Sequence, residues 1–175
     1  RNEVMGRAGL SHMLEHMMFK GTARYPKGSF SRIVRKNGGI DNAFTGQDFT
    51  AYFENVAADR VGLALELEAD RMQGLLLDHS EFQTERDVVK EERRLRSEDD
   101  PQGALVEALF AQAFLSHPYH WPVIGWFADL DAMSLEDLQR HYDTFTSPND
   151  ATLVVVGDIK ADALLPMIKR LFEPI

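Results

Sequence analysis

Apolar residues recur every three to four positions over most of this chain, the spacing of helices that bury one face. Serine stands at the start of two of these stretches, and we take Ser29 and Ser80 as N-terminal caps. Glycine, asparagine or proline follows several of them, as expected where a helix ends. The pattern predicts helices over residues 9–20, 29–36, 58–77, 80–96, 102–115, 134 onward and 161–172.

Shorter segments are rich in β-favouring residues. Residues 40–44 and 49–56 flank the loop Thr45-Gly46-Gln47-Asp48, and this arrangement predicts a β-hairpin. A continuous apolar run at residues 151–156 predicts one more strand, which Gly157 ends. Together these elements indicate an α+β fold with two layers, an antiparallel sheet with helices packed on one face. A chain of 175 residues can bury one core, so we expect a single domain over residues 1–175.

Composition and charge exclude several classes of protein. The net charge is −9, from 19 basic and 28 acidic residues, whereas proteins that bind nucleic acid concentrate positive charge. No apolar run approaches the roughly 18 residues that a membrane-spanning helix requires. The chain has no cysteine, so any metal site must use imidazole and carboxylate ligands. We therefore expect no nucleic-acid partner and no membrane span.

The segment His12-Met-Leu-Glu-His16 carries the clearest chemistry. At 100° per residue, His16 lies about 40° to one side of His12 and Glu15 about 60° to the other, so all three share a helix face. Histidines four residues apart can bind one tetrahedral zinc ion, and a neighbouring carboxylate can take a proton from the water that the ion acidifies. The order is that of the inverted zincin motif HxxEH. The alternative is two surface histidines beside a solvated glutamate.

The fourth predicted helix offers a third ligand. Glu85 and Glu92 fall on the same face as Val88 and Val89, about 20° from each other, while the other charged residues point elsewhere. Carboxylates on an apolar stripe require a compensating charge, which a divalent cation supplies. We therefore predict Glu92 as the ligand and Glu85 as a carboxylate that supports it or handles protons. Glu91 is an alternative ligand, and pairing of these glutamates with arginines is the alternative to metal binding.

In this order the residues resemble the pitrilysin/insulinase family of zinc metallopeptidases, which includes the mitochondrial processing peptidase. The metal motif is followed at a distance by Glu85-Arg-Asp-Val-Val-Lys-Glu-Glu92, and the likeness covers nearly the whole chain. It continues through Phe19-Lys-Gly-Thr22, Gly38-Gly-Ile-Asp-Asn-Ala-Phe-Thr45, Asp48-Phe-Thr-Ala-Tyr52, Glu68-Ala-Asp-Arg-Met72, His117-Pro-Tyr119 and Val154-Val-Val-Gly-Asp158.

The resemblance implies a zinc-dependent endopeptidase that hydrolyses extended or unfolded peptides. It implies that His12, His16 and Glu92 hold Zn²⁺, that Glu15 is the general base, and that Glu85 is an assisting acidic residue. It further implies the fold of one half of a clam-shell. The compartment stays open between bacterial periplasm and cytoplasm.

The resemblance also implies two partners. An extended peptide is expected to add as a further strand beside Asn42, Ala43 and Phe44. Main-chain hydrogen bonds would give affinity there with little dependence on the sequence of the peptide. Members of the family pair the metal-bearing domain with a second, homologous domain or subunit. We expect this chain to be shortened at its N-terminus, to lack that second domain, and to be weakly active alone.

Two other functions fit part of this pattern. A non-catalytic peptide-binding subunit or module of the same fold typically lacks part of the metal motif, whereas His12, Glu15, His16 and Glu92 are all present here. A metal-binding regulatory domain explains the two histidines but not the glutamate between them. The complete motif favours the peptidase.

Overall fold

The computed structural model describes residues 2–175 and consists mainly of helices. The strands β1 (Ile40–Thr45) and β2 (Thr50–Asn55) form a two-stranded antiparallel sheet. The helices are α1 (Leu10–Met17), α2 (Ser29–Lys36), α3 (Val61–Gly74), α4 (His79–Arg93), α5 (Pro101–Ala113), α6 (Phe127–Ala132), α7 (Leu135–Phe145) and α8 (Ala161–Phe172). The predicted α+β class is confirmed. No helix in the described part of the chain combines the length and apolar character needed to span a bilayer.

The helix caps differ from the prediction. The carboxylate of Asp78 accepts hydrogen bonds from the backbone N–H groups of Ser80 at 2.9 Å and Glu81 at 3.0 Å, so Asp78 caps α4. Gly28, with φ 74°, precedes α2, and no side chain caps that helix. Both serine caps were therefore wrong, because each serine lies inside its helix and the cap position is occupied by the residue before the helix, Gly28 for α2 and Asp78 for α4.

Residues 151–156 do not form the predicted strand. Val154 is 73 % exposed and Val156 is 91 % exposed. A strand is stabilised by hydrogen bonds to a neighbouring strand, and within residues 2–175 the only sheet contains β1 and β2. An apolar run alone therefore did not suffice to make this segment a strand.

The chain divides into two compact units, and the first holds the residues through Met17, Ala43–Ala51 and Leu77–His141. In this unit α1 packs against α4, and α4 contacts α6. Its buried apolar side chains include Met13, Leu14, Met17, Phe82, Val89, Leu130 and Leu138. The two helices predicted to carry metal ligands therefore pack directly against each other.

The backbone at the start of α1 is fixed by contacts within the same unit. The Glu3 carboxylate accepts hydrogen bonds from the N–H groups of Gly9 at 2.8 Å and Ser11 at 2.7 Å. Gly9 has φ +94°, and a Cβ there would lie 2.6 Å from the carbonyl oxygen of Ile124 and 2.9 Å from Cα of Gly125. Only glycine suits this conformation and this approach.

The second unit holds Met18–Asn42, Tyr52–Leu76 and Tyr142–Ile175. Phe30 and Val34 of α2 and Leu67 of α3 form a buried cluster, and α3 contacts α8. Arg71 of α3 is 2 % exposed and pairs with Glu68 through two hydrogen bonds. Its guanidinium lies over three rings, those of Phe19 at 5.2 Å, Phe30 at 4.4 Å and Tyr52 at 4.4 Å. Pairing and ring contacts compensate the buried charge.

Glu54 of β2 adds a second carboxyl group to this cluster, 3.6 Å from the Arg71 guanidinium. Burial, together with a hydrogen bond to Glu68, raises the pKa of Glu54 to about 9. The pair of carboxyl groups therefore holds a proton at neutral pH.

Candidate metal centre

The helix α1 places His12 and His16 on successive turns of one face. Their ring centroids are 4.7 Å apart. On the far side of the helix, Leu10, Leu14 and Met17 are buried. The core packing of α1 therefore fixes the direction in which both imidazoles point.

The helix α4 brings Glu92 to the same point. Its Oε2 lies 3.2 Å from Nε2 of His16 and 3.6 Å from Nε2 of His12. One ligand atom from each of the three residues lies within 4.8 Å of the others. Glu91 instead pairs with Arg94 at 2.8 Å. The structure thus brings together the three residues that the sequence selected.

These distances suit a zinc ion. Ligand bonds of about 2.0–2.1 Å at tetrahedral angles place neighbouring ligand atoms roughly 3.3 Å apart, close to the two separations measured at Glu92. Two imidazoles and one carboxylate, without thiolates, form a donor set typical of catalytic zinc with a fourth position left for water. The chemistry and the spacing of the site therefore fit this metal.

The two histidines differ in protonation. Burial, and to a lesser degree the neighbouring His16, lowers the pKa of His12 to about 4, so its imidazole is neutral at pH 7. Burial also disfavours the charged form of His16, but hydrogen bonds to Glu85 and Glu92 outweigh it and raise the pKa of His16 to about 9. A metal ion must therefore displace a proton from His16, whereas His12 already offers a lone pair.

Glu85 orients one of the two imidazoles. Its Oε1 lies 2.8 Å from Nδ1 of His16, and Glu85 is buried. A carboxylate that accepts from Nδ1–H fixes the tautomer and directs Nε2 outward, here toward Glu92. Glu85 therefore contacts Nδ1 of His16, the ring nitrogen that does not face Glu92.

Glu15 is held by a residue that the sequence did not single out. Oγ1 of Thr45 donates a hydrogen bond of 2.5 Å to Oε2 of Glu15, and it also contacts the Thr50 hydroxyl at 3.1 Å. Thr45 is the last residue of β1, although the sequence assigned it to the loop. Nothing in the local pattern marked this contact, because it joins residues far apart in the chain.

Asn42, Ala43 and Phe44 precede Thr45 on β1. Phe44 is 49 % exposed, and its ring packs against that of Phe49 at 5.7 Å between centroids. Through the contact from Thr45 to Glu15, the end of this strand is joined to α1. Addition of a peptide at these residues stays a prediction.

A second residue missed from the sequence is Arg96. Its Nη2 lies 2.9 Å from Oε1 of Glu92, the carboxylate oxygen that does not face the histidines. Arg96 belongs to a π-helical turn, Arg94–Glu98, which follows α4 directly. The spacing of four residues between an acid and a base was the available signal.

Two protein-family models match most of the chain. Residues 1–125 match the family model described as Insulinase (Peptidase family M16), and residues 132–175 match the Peptidase M16 inactive domain. All five predicted metal and catalytic residues lie in the first of these matches.

Individual relatives carry protease names. The zinc protease PqqE of Helicobacter pylori is 40 % identical over 173 residues, which cover 99 % of this chain and 39 % of that protein. A probable mitochondrial-processing peptidase subunit beta of Arabidopsis thaliana is 29 % identical over 164 residues, 94 % of this chain and 31 % of that protein. The chain thus spans about two-fifths or less of each of these relatives.

Solved structures show the same fold. A protease from Helicobacter pylori has a TM-score of 0.97 at 40 % identity, covering 99 % of this chain and 42 % of that one. The first half of the periplasmic protease PqqL from Escherichia coli has a TM-score of 0.86 at 23 % identity, covering 99 % and 38 % of the two chains.

Proposed function

This chain belongs to the insulinase family of peptidases, M16, and we propose that it is the metal-bearing part of a zinc-dependent endopeptidase for extended or unfolded peptides. The observation that carries the proposal is the convergence of three ligand atoms, Nε2 of His12, Nε2 of His16 and Oε2 of Glu92. A carboxylate on the same helix face, that of Glu15, completes the set required for hydrolysis.

His12, His16 and Glu92 would hold the metal ion. Zinc bound by these residues supplies Lewis acidity, which acidifies water near neutral pH and polarises the scissile carbonyl. Glu15 takes the proton of the attacking water and passes it to the departing amine. Thr45 donates to one oxygen of Glu15 and so fixes the direction of the other.

The proposed substrate segment is an extended peptide that pairs with β1. Asn42, Ala43 and Phe44 would supply main-chain hydrogen bonds, which accept many sequences. Two features support this placement: Thr45 at the end of the strand contacts Glu15, and the exposed rings of Phe44 and Phe49 offer an apolar surface close to that contact. A glutamate beside a peptide bond held in this way suits endoproteolysis.

A second homologous domain or a partner subunit is the other proposed partner. The chain covers 39 % of the Helicobacter pylori zinc protease, and one structure of the same fold is described as the first half of a protease. We propose that the remaining part of such a protein closes over the metal centre and increases the activity that this chain has alone.

The test compares zinc content and peptide cleavage in wild type and Glu15→Gln. Wild type should bind close to one zinc per chain and cleave unfolded casein or a mixed peptide library, with loss of cleavage when a chelator is added. Glu15→Gln should keep the zinc and lose about 10²–10⁴-fold in rate, the contribution of a general base. Cleavage is followed by mass spectrometry of the products.

A matched pair of variants tests the ligand assignment. Glu92→Gln should lose zinc, whereas Glu91→Gln on the adjacent, exposed position should keep it. Wild type that binds zinc and peptide yet cleaves nothing would favour the non-catalytic binding module instead. Normal cleavage by Glu15→Gln would refute the assigned base.

A further inference from the structure

We propose that Arg96 is a positioning residue that restricts Glu92 to a single ligating oxygen. The inference rests on the proposed function, since it concerns the same metal centre. It assigns a role to the π-helical turn Arg94–Glu98, which follows the ligand-bearing helix and which the metal motif itself does not contain.

The two oxygens of Glu92 face different groups. Oε2 lies 3.2 Å and 3.6 Å from Nε2 of His16 and His12, whereas Oε1 lies 2.9 Å from Nη2 of Arg96. The guanidinium forms an ion pair with Oε1 and draws this oxygen away from the metal position. The carboxylate is thereby turned so that one atom points at the metal position, and binding through both oxygens would break the contact with Arg96.

The backbone of the turn is placed by α5. A Cβ on Gly103 would lie 1.9 Å from the carbonyl oxygen of Arg96, so α5 can approach this closely only because residue 103 is glycine. π-Helical turns are uncommon and are frequently found at functional sites. The close approach fixes the position of this turn relative to α5.

The buried Arg93 stabilises the junction between α4 and the π-helical turn. Arg93 at the end of α4 forms two hydrogen bonds, of 2.9 Å and 2.8 Å, with the Glu107 carboxylate of α5. Its guanidinium also lies 5.2 Å from the ring centroid of Trp126 and 5.3 Å from that of Phe127. Because Arg93 is only 5 % exposed, this pairing connects α4, α5 and the residues around the start of α6 at the point where the turn begins.

Two effects of Arg96 on a metal ion oppose each other. Its positive charge repels a cation, but the side chain is 72 % exposed, so water and salt screen that repulsion. Its ion pair with Oε1, at 2.9 Å, acts directly on the ligand, and partners of ligating groups typically change metal affinity about 10–100-fold. We therefore expect the positioning effect to dominate.

The experiment measures metal binding to the whole chain, with Zn²⁺ and with Co²⁺ as a spectroscopic substitute. Arg96→Met keeps the apolar stem and removes the guanidinium; it should weaken zinc binding about tenfold in competition with a chromogenic chelator. Co²⁺ in wild type should show the intense visible bands of four-coordinate cobalt. In the variant these bands should weaken, because Glu92 can then bind through both oxygens. Arg96→Lys should recover part of the affinity.

Two further variants separate positioning from general damage. Arg94→Met removes an exposed cation from the same turn, one that pairs with Glu91 rather than Glu92, and should leave affinity and spectrum unchanged. Gly103→Ala should reproduce the effect of Arg96→Met, and the double variant should lose no more than either single one.

The outcomes distinguish this inference from the proposed function. A wild-type chain that binds no zinc overturns both. A wild-type chain that binds zinc, with Arg96→Met equal to it or tighter and with the same cobalt spectrum, overturns the role of Arg96 and leaves the metallopeptidase proposal standing. Weaker binding with weaker cobalt bands supports the inference.

Discussion

Replacing Glu85 by glutamine should weaken zinc binding without removing a ligand. The bond between Oε1 of Glu85 and Nδ1 of His16 is 2.8 Å long, with side chains 10 % and 21 % exposed. Charge-assisted hydrogen bonds in such surroundings contribute about 1.5–3 kcal/mol. The amide of glutamine still accepts from Nδ1–H but lacks the charge, so about half of this should be lost. That corresponds to zinc binding about 4- to 13-fold weaker.

Two measurements check this expectation. Zinc affinity is obtained by competition with a chelator at fixed pH, with Glu91→Gln as the control on the same helix. In the metal-free chain, NMR titration should show the pKa of His16 falling from about 9 toward its ordinary range, because the hydrogen bond with Glu85 is one cause of the raised value. An unchanged affinity together with an unchanged His16 pKa would refute the argument.

The same variant separates positioning from proton transfer. If Glu85 only orients His16, activity at saturating zinc should return to the wild-type level. If Glu85 also acts as an assisting acid, the turnover number should stay low at saturating zinc. Either result assigns the role of Glu85 independently of metal affinity.

Two predictions concern stability. The pKa of Glu54 is raised from 4.5 to about 9, so the stabilisation from its bound proton is full below pH 4.5 and is lost as the pH rises toward 9. Glu54→Gln cannot titrate, so its free energy of unfolding, measured with urea, should fall less steeply with pH than that of wild type. An equally steep fall would contradict the assignment. Gly9→Ala places a methyl group 2.6 Å from the Ile124 carbonyl at φ +94° and should destabilise the chain by about 1–3 kcal/mol. Gly28→Ala is the control: its methyl group meets no neighbour, so this variant measures the cost of the positive φ alone.

Much of the metal centre followed from local helix geometry. The face shared by His12, Glu15 and His16 depends only on the angle per residue, which the backbone sets in any α-helix. The same angle favoured Glu92 over Glu91 as the third ligand. In the structure Glu92 contacts the histidines, while Glu91 pairs with Arg94. The α+β class and most helices were likewise readable from apolar spacing.

Other features required the folded chain. Thr45 meets Glu15 only because a strand end is brought to α1, and Gly103 meets the carbonyl of Arg96 only because α5 returns to the end of α4. The strand predicted at residues 151–156 did not form, since pairing depends on a neighbour that apolar content cannot specify. The sequence alone therefore determined which side chains share a helix face. Tertiary structure decided which faces meet, because contacts between distant residues depend on packing rather than on local backbone angles.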